Sequence, residues 1–168
     1  MTDRIEFYSP SDLYGEFSNF AYPMEPILTM GYVVDTSEHF FQAMKFITTD
    51  PAYAKQVLKA SGPGEAARMG RDRSKPLRKD WESIKDDVMR IAVFTKFTQF
   101  PYLKKRLLDT GDALLVEHTD KDSYWADGGD GSGKNMLGKI LMEIRGYIRN
   151  PSSDKRDHNR IMHRIEKG

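Results

Sequence analysis

The chain has 168 residues, with 26 basic against 25 acidic side chains, a formal net charge of +1 and no cysteine. That length suffices for one domain with its own core. The near-neutral balance supplies no global attraction to nucleic acid or membrane, and the lack of thiols excludes disulfides, thiolate nucleophiles and cysteine-ligated metals.

The opening segment MTDRIEFYSPSD lacks the basic-then-apolar pattern of a signal peptide, and no apolar run approaches spanning length, so a cytoplasmic protein is expected. Residues 5–8 read as a short strand, closed by the turn chemistry of Ser9-Pro10-Ser11-Asp12. Residues 27–34 (ILTMGYVV) predict a hairpin about Met30-Gly31. Asp35-Thr36-Ser37 is a natural cap, and residues 38–47 behind it have helical character. Asp50-Pro51 starts a helix through Lys59 or Ala60, and residues 63–69 form a short helix stopped by Gly70. After Asp80 the longest periodic stretch places Trp81, Ile84, Val88, Ile91, Ala92 and Thr95 on one helical stripe, widened by Phe94 and Phe97. Pro101 opens a helix ending near Gly111, and residues 114–118 suit a strand. A glycine-rich loop, residues 127–135 (DGGDGSGKN), leads into a last core helix carrying Met136, Leu137, Ile140, Leu141, Ile144 and Ile148, broken by Asn150-Pro151. Residues 152–168 carry five basic and three acidic groups around Ile161, Met162 and Ile165, and read as a polar tail, partly helical at most. The strands do not alternate with helices as a parallel sheet would require. The expected fold is therefore mainly α, with a few short peripheral strands.

Four groups of residues carry chemistry. Glu38, Gln42 and Lys45 recur at spacings of four, three and seven, which puts them on one helical face. A carboxylate and an amine so placed perturb each other's ionisation and suit acid–base or imine chemistry. The same spacing also describes a solvated face with a structural ion pair. The glycine-rich loop feeds a helix N-terminus, an arrangement that favours phosphate, and Trp125 just upstream offers a plane for stacking on a heterocycle. The run from Arg68 to Lys79 holds Arg68, Arg71, Arg73, Lys75, Arg78 and Lys79 against only Asp72, a density suited to receiving phosphate. Phe17-Ser18-Asn19-Phe20 presents an amide from an aromatic wall.

Together these segments resemble the NADAR, or YbiA-like, family. The residues that carry the match are GEFSNF (15–20), SEHFFQAMKF (37–46), AARMGRDR (66–73) and Trp81. They continue through Lys85, Val88-Met89, Lys96-Phe97 and LVEHT (115–119) to Tyr124-Trp125, DGG (127–129), GKN (133–135) and Leu137-Gly138. The match runs in order over roughly residues 6–149. Ala126 stands where the family usually has glycine. An alanine there would be strained if that position took a positive φ.

The resemblance implies a single multihelical domain over residues 1–150, with 151–168 as a tail, and an N-glycosidase. Its nearest branch hydrolyses phosphoribosylamino-pyrimidine intermediates of riboflavin biosynthesis and releases ribose 5-phosphate. Other branches remove ADP-ribose from guanine bases, and a non-catalytic module binding ADP-ribose or a nucleotide is a further alternative. On this basis Glu38 is expected as the acid/base and Lys45 as imine former or electrostatic partner. Asn19 and Asp127 would orient ribose hydroxyls, Trp125 would stack on the base, and Arg71, Arg73 or Lys75 would hold the 5′-phosphate. Phe20, Trp81 and Asn135 complete the expected substrate-binding set. The chemistry calls for no metal and no organic cofactor. The expected partner is a small ribosylated heterocycle; membrane and nucleic acid are disfavoured, and oligomeric state is left open.

Overall fold

A computed structural model of the chain describes residues 3–151 and 155–168. The chain divides into two units, Met1–Ala21 with Phe97–Ser152, and Tyr22–Lys96 with Ser153–Gly168.

Strand β1 (Arg4–Phe7) lies in the first of these, and the hairpin strands β2 (Ile27–Thr29) and β3 (Tyr32–Val34) lie in the second. They pair antiparallel, Ile27 opposite Val34. Met30 (φ 50°) and Gly31 (φ 81°) both adopt left-handed backbone, the pair of dihedral signs that matches strand twist in a two-residue turn. Helix α1 (Ser37–Ala43) starts as the cap predicts: Thr36 is extended, and its hydroxyl accepts from the His39 N–H at 3.3 Å. The helix ends sooner than expected. The Lys45 N–H donates to the Gln42 carbonyl (3.3 Å) and the Phe46 N–H to that of Ala43 (3.0 Å), so the chain continues as tight turns. Helix α2 (Pro51–Leu58) is capped by Asp50, whose carboxylate accepts from the Tyr53 N–H at 3.0 Å. Helix α3 (Pro63–Gly70) follows, and α4 (Trp81–Gln99) confirms the long periodic stretch, with Ile84, Val88, Ile91 and Ala92 buried. Phe40, Ala43, Met44, Phe46, Ala54, Val57 and Ala66 are fully enclosed and form the core beneath α1.

The expected tail is instead a helix, α7 (Lys155–Lys167); residues 152–154 lie outside the described residues. Its last turn is fastened by Arg78, which donates to the carbonyls of Ile165 (2.7 Å) and Arg164 (3.2 Å). Both lie at the C-terminal end of the helix, where the Arg164 carbonyl also accepts from the Gly168 N–H at 3.0 Å. Ile165 is buried, and the Phe94 and His158 rings meet at 5.0 Å. Three apolar residues among many charges give too weak a pattern to announce such docking.

In the other unit β1 pairs in parallel with β4 (Leu114–Glu117), in register from Arg4 opposite Leu114 to Phe7 opposite Glu117. No local pattern signals a pair so distant in sequence. Helices α5 (Pro101–Leu108) and α6 (Met136–Arg149) complete the elements, with Leu137, Ile140, Leu141 and Ile144 of α6 buried. Asn135, in left-handed backbone (φ 51°), extends the edge of β4: its Oδ1 accepts from the Glu117 N–H (3.0 Å) and its Nδ2 donates to the Leu115 carbonyl (2.9 Å). Asn135→Ala removes both bonds and puts a disfavoured residue at that φ, so thermal or urea denaturation is expected to show a loss of about 2–3 kcal/mol. The result is the mainly helical fold with a few short strands that the sequence predicts.

Candidate active site

Helix α1 is short and almost wholly enclosed, so its polar side chains need internal partners. Glu38 is only 8% exposed, and its Oε1 accepts from Gln42 Nε2 at 2.7 Å, one helical turn on. Lys45 lies beyond the end of α1 and is brought in by the turn that follows. It is also 8% exposed, and its Nζ reaches the Gly70 carbonyl at 3.4 Å. The expected grouping of these three residues therefore holds, but through a helix and a turn rather than one continuous face.

The amine rests over two rings, with Nζ 5.8 Å from the centroid of Phe41 and 5.6 Å from that of Trp81. The rings pack together at 5.1 Å. Arg73 Nη1 donates to the same Gly70 carbonyl at 3.0 Å. Burial, reinforced by Arg73 and Arg71, pulls the Lys45 ammonium from 10.5 down to about 8, against the opposing fields of Glu38 and Glu82. An ordinary lysine is free amine in only about one part in 10³ at neutral pH. Lys45 is free far more often, so the corner offers a nucleophilic amine and a carboxylate screened from bulk water.

The basic run splits into separate uses. Arg71 and Arg73 are exposed beside Lys45 and remain available to an anion. Lys75 sits over the Tyr53 ring, Nζ 4.9 Å from its centroid, and Arg68 pairs with Glu65 on the surface. Arg78 is 2% exposed and structural: besides α7 it holds Asp80, through Nε at 2.7 Å and Nη2 at 3.1 Å. Phe41 and Gly70 were not singled out in the sequence. Phe41 precedes Lys45 by four residues, a spacing that was legible; the role of the Gly70 carbonyl was not.

The remaining expected residues belong to the first unit. Asn19 is buried, and Phe20 is partly exposed with its N–H donating to Ser18 Oγ at 3.1 Å. Trp125 is half-buried, edge-on to Tyr124 at 4.9 Å. Asp127, almost fully buried, accepts from the backbone N–H groups of Gly129 (2.9 Å) and Thr119 (3.2 Å) and bonds His118 Nδ1 at 2.7 Å. Burial alone would raise its carboxyl, but these bonds outweigh it and the net direction is downward. His118 is raised by its bond to Asp127. Asn135 thus spends its amide on holding backbone, whereas Asp127 gives Oδ1 to backbone N–H groups and Oδ2 to the His118 ring.

The helix start behind the glycine-rich loop is not left open for phosphate. The N–H groups of Lys134, Asn135, Met136 and Leu137 donate to the carbonyls of Ser123, Ala126, Tyr124 and Trp125 at 2.8–3.1 Å, so the start of α6 is already satisfied. Ala126 is fully buried and does not take a positive φ, so alanine is unstrained there. Among the described residues no helix is long and apolar enough to cross a membrane.

Comparison with known proteins gives one family. The NADAR domain model matches residues 6–149. N-glycosidase YbiA of Escherichia coli is 57% identical over 141 residues, covering 84% of this chain and 86% of that protein. A Vibrio vulnificus protein named as a riboflavin biosynthesis protein is 43% identical over 145 residues, 86% of this chain but 38% of its own length. Among solved structures, the NMR structure of E. coli YbiA superposes with a TM-score of 0.80 at 52% identity, covering 94% of both chains.

Proposed function

The chain belongs to the NADAR family, and from that premise we propose that it is an N-glycosidase acting on phosphoribosylamino-pyrimidine intermediates of riboflavin biosynthesis, with release of ribose 5-phosphate. The names of its relatives support the reaction class, and the riboflavin-related name among them supports the substrate. The observation that carries the reading is the buried amine of Lys45, held near 8 over Phe41 and Trp81 with Glu38 in its field.

A ribosylamine opens to an imine at the anomeric carbon. The free amine of Lys45 adds to that carbon, and ionised Glu38 carries the two protons shed by the attacking nitrogen to the departing one, so the C–N bond breaks as the lysine imine forms. Ionised Glu38 then takes a proton from water as the water adds to the imine carbon. Collapse of the carbinolamine returns the amine and frees the sugar aldehyde. Arg71 and Arg73 supply the positive charge that receives the 5′-phosphate.

Incubation with a phosphoribosylamino-pyrimidine and, in parallel, with ADP-ribosylated guanosine tests the substrate; mass spectrometry follows ribose 5-phosphate or ADP-ribose. Release of ribose 5-phosphate is the expected result, whereas exclusive release of ADP-ribose would move the chain to the guanine-directed branch. Glu38→Gln is expected to lower turnover by roughly 10²–10⁴-fold, and a fall of only a few-fold would remove Glu38 from the acid/base role.

A further inference from the structure

A buried polar atom without a partner is costly, and proteins keep few of them. Among the described residues Gln42 Oε1 is such an atom: it is enclosed and has no hydrogen-bond partner. Its amide is oriented by Glu38, because an ionised carboxylate only accepts and the NH₂ end must face it. The carbonyl end is thereby turned toward Gly70. A Cβ at that position would overlap Oε1 and come within 2.7 Å of Cδ, so only glycine leaves room for the amide. Gly70 also offers its carbonyl to Lys45 and Arg73. One residue without a side chain therefore meets the amide that grips the carboxylate and the amine that faces it.

We propose that Gln42 is a positioning residue for Glu38, and that Gly70 is the recess that lets it take up that position. The inference rests on the proposed use of Glu38 and extends it to two residues that touch no reacting atom. Gln42 holds the carboxylate through Glu38 Oε1, and it stabilises the ionised form by donating to it. The orphaned carbonyl is the structural consequence of that orientation. The charged groups acting at this corner are Glu38, Lys45, Arg71, Arg73 and Glu82.

The test uses the full chain, with Gln42→Met, Gln42→Glu, Gly70→Ala and Glu38→Gln beside the parent. The Glu38 carboxyl is followed by carbon NMR of glutamate-labelled protein, assigned by its disappearance in Glu38→Gln. In Gln42→Met the carboxyl midpoint is expected to rise by more than half a pH unit, since the charged form loses a donor. In Gln42→Glu, with two carboxylates in contact, the pair's upper midpoint is expected higher still. Thermal stability of Gln42→Met should stay within a few degrees of the parent, because an orphaned buried carbonyl leaves with the hydrogen bond. On a turned-over substrate, kcat is expected to fall about tenfold or more, with KM changed less than threefold and the acid limb of the pH profile displaced in the same direction as the midpoint. Gly70→Ala is expected to copy these effects, and Gln42→Met keeps the proposal testable if Gly70→Ala does not fold. An unmoved carboxyl midpoint in both Gln42 variants overturns the proposal, even where Glu38→Gln is inactive. Full activity in Glu38→Gln overturns both this and the acid/base reading, since no catalytic carboxylate would remain to be positioned.

Discussion

Replacing Lys45 with methionine is expected to lower kcat/KM about 10³-fold or more while making the protein more stable. The two effects have one cause. Lys45 binds its proton less tightly in the folded chain, about 8 against 10.5, so an ammonium at that place costs stability below pH 8. The cost is largest below pH 8 and fades as the pH rises from about 8 to 10.5, where the unfolded chain also loses its proton. Converted at 1.36 per pH unit, that displacement is an upper bound of about 3 kcal/mol. Denaturation of Lys45→Met and parent at pH 7 and pH 10 should show the variant ahead at pH 7 and the gap narrowed at pH 10. Turnover by the parent should rise with pH as the amine is freed, on a limb near 8. Lys45→Arg keeps the charge but offers no free amine, and is expected to be as inactive as Lys45→Met. Borohydride added during turnover should leave the sugar on Lys45. A fully active Lys45→Arg with no adduct would assign the lysine an electrostatic role instead.

The second large effect is expected at Arg78. This guanidinium, almost wholly buried, serves the carbonyls of Met44, Arg164 and Ile165 and the carboxylate of Asp80. Arg78→Met fills a similar volume but takes the donor from the carbonyls of Met44 and Ile165 and from a partly buried carboxylate, while the Arg164 carbonyl keeps its bond from the Gly168 N–H. A loss of about 3–5 kcal/mol in urea unfolding is expected, as for other broken buried ion pairs. Limited proteolysis should cut first within residues 155–168, because the last turn of α7 loses its anchor. The main-chain bond from the Arg78 N–H to the Lys45 carbonyl, 3.0 Å, survives the substitution. Residual activity should therefore track the fraction folded. A loss under about 1 kcal/mol would mean that water replaces the guanidinium freely.

Much of the architecture was written in local chemistry. Thr36 and Asp50 cap helices as their residue types demand, Met30-Gly31 turns the hairpin, and the apolar stripe of α4 is buried as spaced. What failed to show depends on partners far away in the chain. The parallel pairing of β1 with β4 has no local signature. The docking of α7 depends on Arg78, which in the sequence is one more cation in a basic run. The site divides along the same line. Glu38 and Gln42 meet through helical spacing, but Lys45 is placed by a turn and by Gly70, which spacing rules do not describe. Nor do spacing rules tell which oxygens of Asp127 and Asn135 are engaged by backbone N–H groups, because those donors come from turns and from a strand distant in the chain.

The indole beneath Lys45 gives the protein an optical reporter of its own. Trp81 and Trp125 are the two tryptophans of the chain, so Trp125→Phe leaves a single emitter in van der Waals reach of the amine's aromatic bed. A nearby ammonium and a neutral amine quench and shift indole fluorescence differently. Emission from that variant should therefore change with a midpoint near 8 and stay flat through that range when Lys45 is also methionine, which reads the charge on the amine with no substrate present.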